Sequence, residues 1–248
     1  MKILLLTGIK EELKPLFKIH PFEFVKQNRF YRSIEAPNVM AGTMGPGLTK
    51  KRELKKLLED FLPDVIINAG LVGILNDDDP IESGDLLRIG NVIDAETETI
   101  YPGGPGRDTL VTVDRAIFQP WEKMDLYMQF DRARACDMEA SKLLNFIASI
   151  EEVAGRTEIL FCKVAGDRPE SYQLYENEHL VRNWNEKTFL EKARTAIKFP
   201  GGPVNLARLI TQKEKAMVSL TKNMNNTITK LLLMKHIPPN MHSVFIPH

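Results

Sequence analysis

The stretch Arg134-Ala-Cys-Asp-Met-Glu-Ala-Ser-Lys142 places two carboxylates, Asp137 and Glu139, one residue apart. Further along, Asp167 follows the strand-like stretch 159–165 after Gly166, and Glu11 and Glu12 stand just beyond the apolar run 3–6 and its Thr7-Gly8 turn. Carboxyl groups so placed can give a proton to a leaving group, take one from a nucleophile, or offset positive charge in a transition state. Each also has a plainer reading on its own. Glu12 and Glu139 suit the first turn of a helix, where the macrodipole favours an acid. Asp167 suits a turn or an N-cap.

The flanking pattern is what makes these acids candidates. After Asp137 and Glu139, Ala140, Leu143, Leu144 and Ile147 recur at helical spacing, so the pair sits where a strand ends and a helix begins. Run 3–6 is continuously apolar, and 65–70 and 159–165 are apolar apart from Asn68 and Lys163, the mark of strands buried on both faces. In open α/β sheets ligands bind beyond the carboxyl ends of such strands. Glu12, Glu139 and Asp167 are therefore expected to line one pocket at that edge.

The remaining elements follow from the same rules. Residues 22–25 and 29–34 read as a hairpin, and 38–41, 86–93 and 110–113 as further strands. Leu54, Leu57, Leu58, Phe61 and Leu62 mark an amphipathic helix. Residues 120–130 predict another, with Trp121, Met124, Leu126 and Met128 as packing residues. Gly42-Thr-Met-Gly-Pro-Gly47 is a glycine-rich turn before a helix, suited to an anion or a ribose. It matches neither GxGxxG nor GK[ST]. Residues 76–79 read as a solvated acidic loop, since the spacing of a calcium loop is missing. From about residue 170 the chain turns polar and helical, with Trp184, Phe189, Leu190 and Ile197 as candidate packing residues. A long helix follows Pro200-Gly-Gly-Pro203. Its apolar stripe is expected to dock on the body or on a partner subunit rather than on a membrane surface.

With no internal repeat and no dividing linker, 248 residues predict a single α/β domain, 1–248, with a helical C-terminal extension from about 170. Thirty-three basic and thirty-three acidic residues cancel, which argues against a general nucleic-acid or membrane-surface binder. Cys136 and Cys162 lack metal or CxxC spacing and read as reduced thiols of a cytoplasmic protein. The histidines are scattered, so no metal site is expected. No run approaches the ~18 apolar residues of a membrane-spanning helix.

Four blocks, in order along residues 1–168, resemble the nucleoside phosphorylase/nucleosidase superfamily, above all the methylthioadenosine/S-adenosylhomocysteine nucleosidases and their short relatives. They are Met1-Lys-Ile-Leu-Leu-Leu-Thr-Gly-Ile-Lys-Glu-Glu12; Gly45-Pro-Gly47 with its helix; Pro63-Asp-Val-Ile-Ile-Asn-Ala-Gly70 with Gly84-Asp-Leu-Leu87; and Ala135-Cys-Asp-Met-Glu-Ala140 with Phe161-Cys-Lys-Val-Ala-Gly-Asp167. Their order and spacing carry the resemblance. It implies a three-layer αβα sandwich with a mixed central β-sheet, and cleavage of the N-glycosidic bond of a purine-type nucleoside. It further implies that Asp167 protonates or hydrogen-bonds the purine N7, Glu139 binds the ribose hydroxyls, Met138 packs on the sugar and Glu12 activates the attacking water. Gly45, Gly47 and Gly70 would lie against the substrate, and segment 113–118, with Ile117, would stack on the base. No cofactor is implied, apart from phosphate if the enzyme is a phosphorylase. Members commonly form dimers or larger rings, so a homo-oligomer is expected.

The chain departs from the family pattern at Leu71, Gly166 and Lys163, which stand where the family has serine, serine and arginine. Three readings follow: a nucleosidase using water, a phosphorylase using phosphate, and a non-catalytic nucleoside-binding homologue. A carboxylate at Glu12, where a phosphorylase needs a cation, favours water. Three acids retained at matching places argue against lost chemistry.

Overall fold

Four leucine and isoleucine side chains in a row make β1 (Ile3–Thr7) a strand that cannot leave either face in water, and it runs through the middle of the sheet. The structure is a computed structural model that describes residues 1–26, 30–76, 79–131, 133–168 and 188–234. β1 pairs in parallel with β4 (Val39–Thr43) on one side and β5 (Val65–Ile74) on the other. β2 (Phe22–Val25) and β3 (Phe30–Ser33) form the expected antiparallel hairpin beyond β4. β5 runs ten residues, past Gly70 where the apolar run breaks, because its far end gains a new neighbour. From Val65 to Asn68 that flank pairs with β1, and at Gly73 and Ile74 with the antiparallel β10 (Ala133–Asp137). Along its other flank β5 pairs in parallel with β11 (Glu158–Asp167). β10 continues the sheet through β9 (Asp108–Thr112) and β7 (Ile89–Asp94) to β8 (Ile100–Pro102), and β6 (Leu86–Leu87) adds to β11.

Alternation along β1 assigns the layers. Ile3 and Leu5 face α1 (Lys10–Leu13) and the long α6 (Gly202–Met234), meeting Ala216, Leu220, Met224 and Ile228. Leu4 and Leu6 face the opposite layer, where α2 (Lys51–Phe61) brings Leu54, Leu57 and Leu58 and α4 (Ala140–Ala148) brings Leu143 and Ile147. Helices thus cover both faces of a mixed sheet, a three-layer α/β sandwich. α6 spends its apolar stripe on the sheet, and α5 (Phe189–Lys198) packs beside it. No described helix is long and apolar enough to cross a membrane.

Three expectations change. The segment 86–93 is two strands, and 100–102, read as loop, is paired as β8. Asp79 is not solvated: Arg134 holds it at 2.7 Å and reaches Asp108 at the same distance. Asp77 and Asp78 lie outside the described residues, as do Trp184 and the tail from His236. On α3 (Pro120–Gln129), Trp121, Met124 and Met128 are 62, 43 and 75% exposed, whereas Lys123 is 0% exposed. The inward stripe is Lys123, Leu126, Tyr127 and Phe130, at i, i+3, i+4 and i+7, with its two ends buried and its middle partly so, and a lysine stands at its head.

Candidate active site

The place where β5 exchanges β1 for β10 leaves a crevice, as strand-order breaks in α/β sheets do. Small-ligand cavities run to about 300–1,000 Å³, and this one measures about 630 Å³. Glu12, Glu139 and Asp167 all line it, together with Asp137, Met138, Ile117 and Phe118. The acids reach it from three elements. Glu12 lies on α1 after β1, Glu139 sits at the N-terminus of α4 after β10, and Asp167 ends β11.

Glu12 is fixed by the backbone. Its Oε1 accepts from the Leu71 N–H at 2.8 Å and its Oε2 from the Ile9 N–H at 3.2 Å. The second bond is half of a capping box, so the helix-start reading and the site reading hold for the same side chain. Gly70 makes room, since a Cβ there would stand 3.2 Å from Oε1. Burial raises the Glu12 pKa above the ordinary 4.5, against the pull of the two N–H groups and of Lys163. Glu139 accepts from the Gly47 N–H at 3.1 Å. Its pKa is raised as well, first by burial and then by the neighbouring Asp137 charge.

Two buried lysines complete the arrangement. Lys163, at the arginine position of the resemblance, pairs with Asp137 at 2.8 Å, with 2 and 1% of the two side chains exposed. Burial works against its charge, but Asp137, Glu139 and Glu12 together outweigh this and raise its pKa. Asp137 also accepts from Thr112 Oγ1 and from the Ala140 N–H at the start of α4. It is an anchor for the turn that presents Met138 and Glu139. Lys123 Nζ reaches Asp167 Oδ2 at 2.5 Å.

Not every expected contact residue faces the cavity. Gly45, Gly47 and Gly70 do not line it: Gly47 spends its N–H on Glu139, and Gly70 yields space to Glu12. Gly45 opens the turn with φ of 75°. The segment 113–118 does reach the cavity, through Val113, Ala116, Ile117 and Phe118. Sequence reasoning missed Lys123, which stands behind Asp167, and Lys213, which lines the cavity; Glu11, named with Glu12 from the sequence, lines it as well. Extending the Leu126–Tyr127–Phe130 stripe back one turn would have found Lys123.

No family model matches the chain, and no curated protein sequence does. Solved structures match its fold. A 5′-methylthioadenosine-bound nucleosidase mutant of Helicobacter pylori superposes with a TM-score of 0.62 at 12% identity, covering 92% of this chain and 98% of that one. The futalosine hydrolase of the same organism gives 0.60 at 12% identity, covering 93% and 98%. The 5′-methylthioadenosine/S-adenosylhomocysteine nucleosidase of Neisseria meningitidis, in complex with methylthio-immucillin-A, gives 0.57 at 13%, covering 87% and 99%. The chain shares its fold with these solved nucleosidase and hydrolase structures.

Proposed function

We propose that the protein is a nucleosidase that hydrolyses the N-glycosidic bond of a purine-type nucleoside, of the methylthioadenosine or S-adenosylhomocysteine kind, with water as the nucleophile. The observation that carries this reading is the meeting of Glu12, Glu139 and Asp167, from three distant stretches, around one largely apolar cavity. Glycoside cleavage passes through an oxocarbenium-like state and needs an acid at the leaving group and carboxylates near the sugar. In this assignment Asp167 meets the base at N7, and Ile117 and Phe118 pack on its rings. Met138 lies under the sugar, Glu139 accepts from the ribose hydroxyls and offsets the positive charge, and Glu12 takes the proton of the attacking water. The reaction so written uses no cofactor.

Phosphate is the competing nucleophile. The cavity wall carries Glu11, Glu12, Asp137, Glu139 and Asp167 against Lys213, and Lys163 and Lys123 are both engaged by acids. At an effective dielectric of ~20, like charges about 4 Å apart repel by ~4 kcal/mol, which opposes a phosphate beside Glu12. The test is a panel of adenosine, inosine, 5′-methylthioadenosine and S-adenosylhomocysteine, each with and without phosphate. Free base and the free sugar, with its 5′ substituent intact, in phosphate-free buffer support the reading. Strict phosphate dependence with the sugar 1-phosphate as product moves the protein to the phosphorylases, and binding without base release makes it a nucleoside-binding homologue.

The buried free thiols Cys136 and Cys162 fit a reducing cytoplasm. Phe118 lines the cavity, and Trp121, Met124 and Met128 extend an exposed apolar face from it along α3, a surface a second copy would cover. Self-association is therefore part of the proposal. A monomer by light scattering at micromolar concentration, with full activity, would remove it.

A further inference from the structure

A lysine with no exposed surface is costly to bury unless its charge is matched. Lys123 Nζ meets Asp167 Oδ2 at 2.5 Å and the Asp167 carbonyl at 3.4 Å. It does not line the cavity itself, so it approaches Asp167 from behind. A Cβ at Gly73 would lie 3.3 Å from Lys123 Nζ and 3.4 Å from Asp167 Oδ1, so the bare glycine leaves space for the pair. Oδ1 has no hydrogen-bond partner among the described residues, while Asp167 keeps 17% of its side chain exposed.

The orientation of α3 sets this contact apart from ordinary packing. Turning Trp121, Met124 and Met128 inward would bury three large apolar side chains, each worth about 1.5–3 kcal/mol. The helix leaves them exposed and buries an ammonium instead. The ammonium reaches the one acid that the nucleosidase reading assigns to the leaving base.

We propose that Lys123 is a positioning residue for the leaving-group step: it holds Asp167 by Oδ2, leaves Oδ1 for the purine N7, and stabilises the carboxylate that forms as the proton departs. This rests on the nucleosidase reading. The C1′–N9 bond breaks and its electron pair moves into the purine, while the Asp167 Oδ1–H proton passes to N7 and the base leaves neutral. Asp167 is left as a carboxylate beside the Lys123 ammonium, 2.5 Å away. Water adds to C1′ and its proton goes to Glu12; Glu12 then releases that proton to solvent and solvent returns one to Asp167, which restores both groups. A preorganised donor aimed at developing negative charge is worth about 10²–10³-fold in rate.

The experiment compares two leaving groups on the full chain. 5′-Methylthioadenosine needs a proton at N7, whereas 4-nitrophenyl 5-methylthio-β-D-ribofuranoside releases a phenolate that needs none. Lys123→Met should lose about 10²-fold in kcat on the nucleoside, with KM little changed, and retain its rate on the aryl riboside. Lys123→Arg should recover most of the nucleoside rate. Equal losses on both substrates, or no loss on the nucleoside, would overturn the proposal in favour of a structural ion pair. If Lys123→Met does not fold, Lys123→Gln, which keeps a donor without the charge, takes the same comparison with the same outcomes. A wild-type chain that cleaves neither substrate would instead overturn the nucleosidase reading, and this proposal with it.

Discussion

Replacing Glu12 by glutamine separates the two things its carboxylate does in the structure. The amide oxygen can still accept from the Leu71 N–H, now made at 2.8 Å, but the amide nitrogen would face the Ile9 N–H that Oε2 accepts at 3.2 Å. One hydrogen bond is lost, about 1 kcal/mol. Against this stands the burial that raises the Glu12 pKa. A folded-state pKa above the unfolded one gives a contribution to stability that is complete below the unfolded value and is lost as pH rises through the folded value. Glutamine has no such titration. The stability of Glu12→Gln relative to wild type should therefore improve as pH rises from about 4 through the raised Glu12 pKa, measured by urea denaturation at several pH values. Over the same range the variant should lack a general base, at a loss of about 10²–10⁴-fold in kcat, or ~3–5 kcal/mol of barrier. KM should stay within a few-fold of wild type, because Asp167 and Glu139 keep their places. The wild-type acid limb of kcat/KM should lie above the ordinary glutamate value, since Glu12 and Glu139 are both raised. A stability difference that is flat with pH, together with full turnover, would refute both the burial argument and the base assignment.

The other expectations are simpler. Asp167→Asn should fold and bind nucleoside but lose about 10²–10⁴-fold in base release, read by chromatography of free base; wild-type turnover would remove Asp167 as the acid. Lys163→Met leaves Asp137 buried and unpaired and should cost about 3–5 kcal/mol in urea denaturation. Lys163→Arg, which keeps the charge, should recover most of that loss. Leu57→Ala opens a cavity between α2 and the sheet and should cost about 2–5 kcal/mol while leaving kcat unchanged below the melting transition.

Much of the molecule was legible in the sequence because its determinants are local. A continuous run such as residues 3–6 has no polar face to show to water, so it reads as a central strand without further information. The stripe of Leu54, Leu57 and Leu58 likewise carries its helix and buried face in its spacing. The blocks along residues 1–168 carried enough of the family pattern for the fold it implied to be the fold that the solved nucleosidase structures share with this chain. Glu12, Glu139 and Asp167 stood out because each follows a strand.

What tertiary structure decided is what those residues touch. Strand direction is one case: β10 runs antiparallel to β5, so Glu139 meets the other acids where β5 changes neighbours, not along one parallel edge. Gly47 and Gly70 looked like ligand-facing glycines, yet they serve carboxylates that arrive from residues far away in the chain. On α3, Trp121, Met124 and Met128 are the more apolar residues, but Asp167 at the end of β11 supplies the countercharge that lets Lys123 turn inward. Asp79 changed from a solvated loop acid to an ion-pair partner by the same logic, through Arg134 of β10. Hydrophobic periodicity is a property of one segment, whereas the electrostatic partner that overrides it belongs to another, and only the folded chain brings the two within a few ångströms.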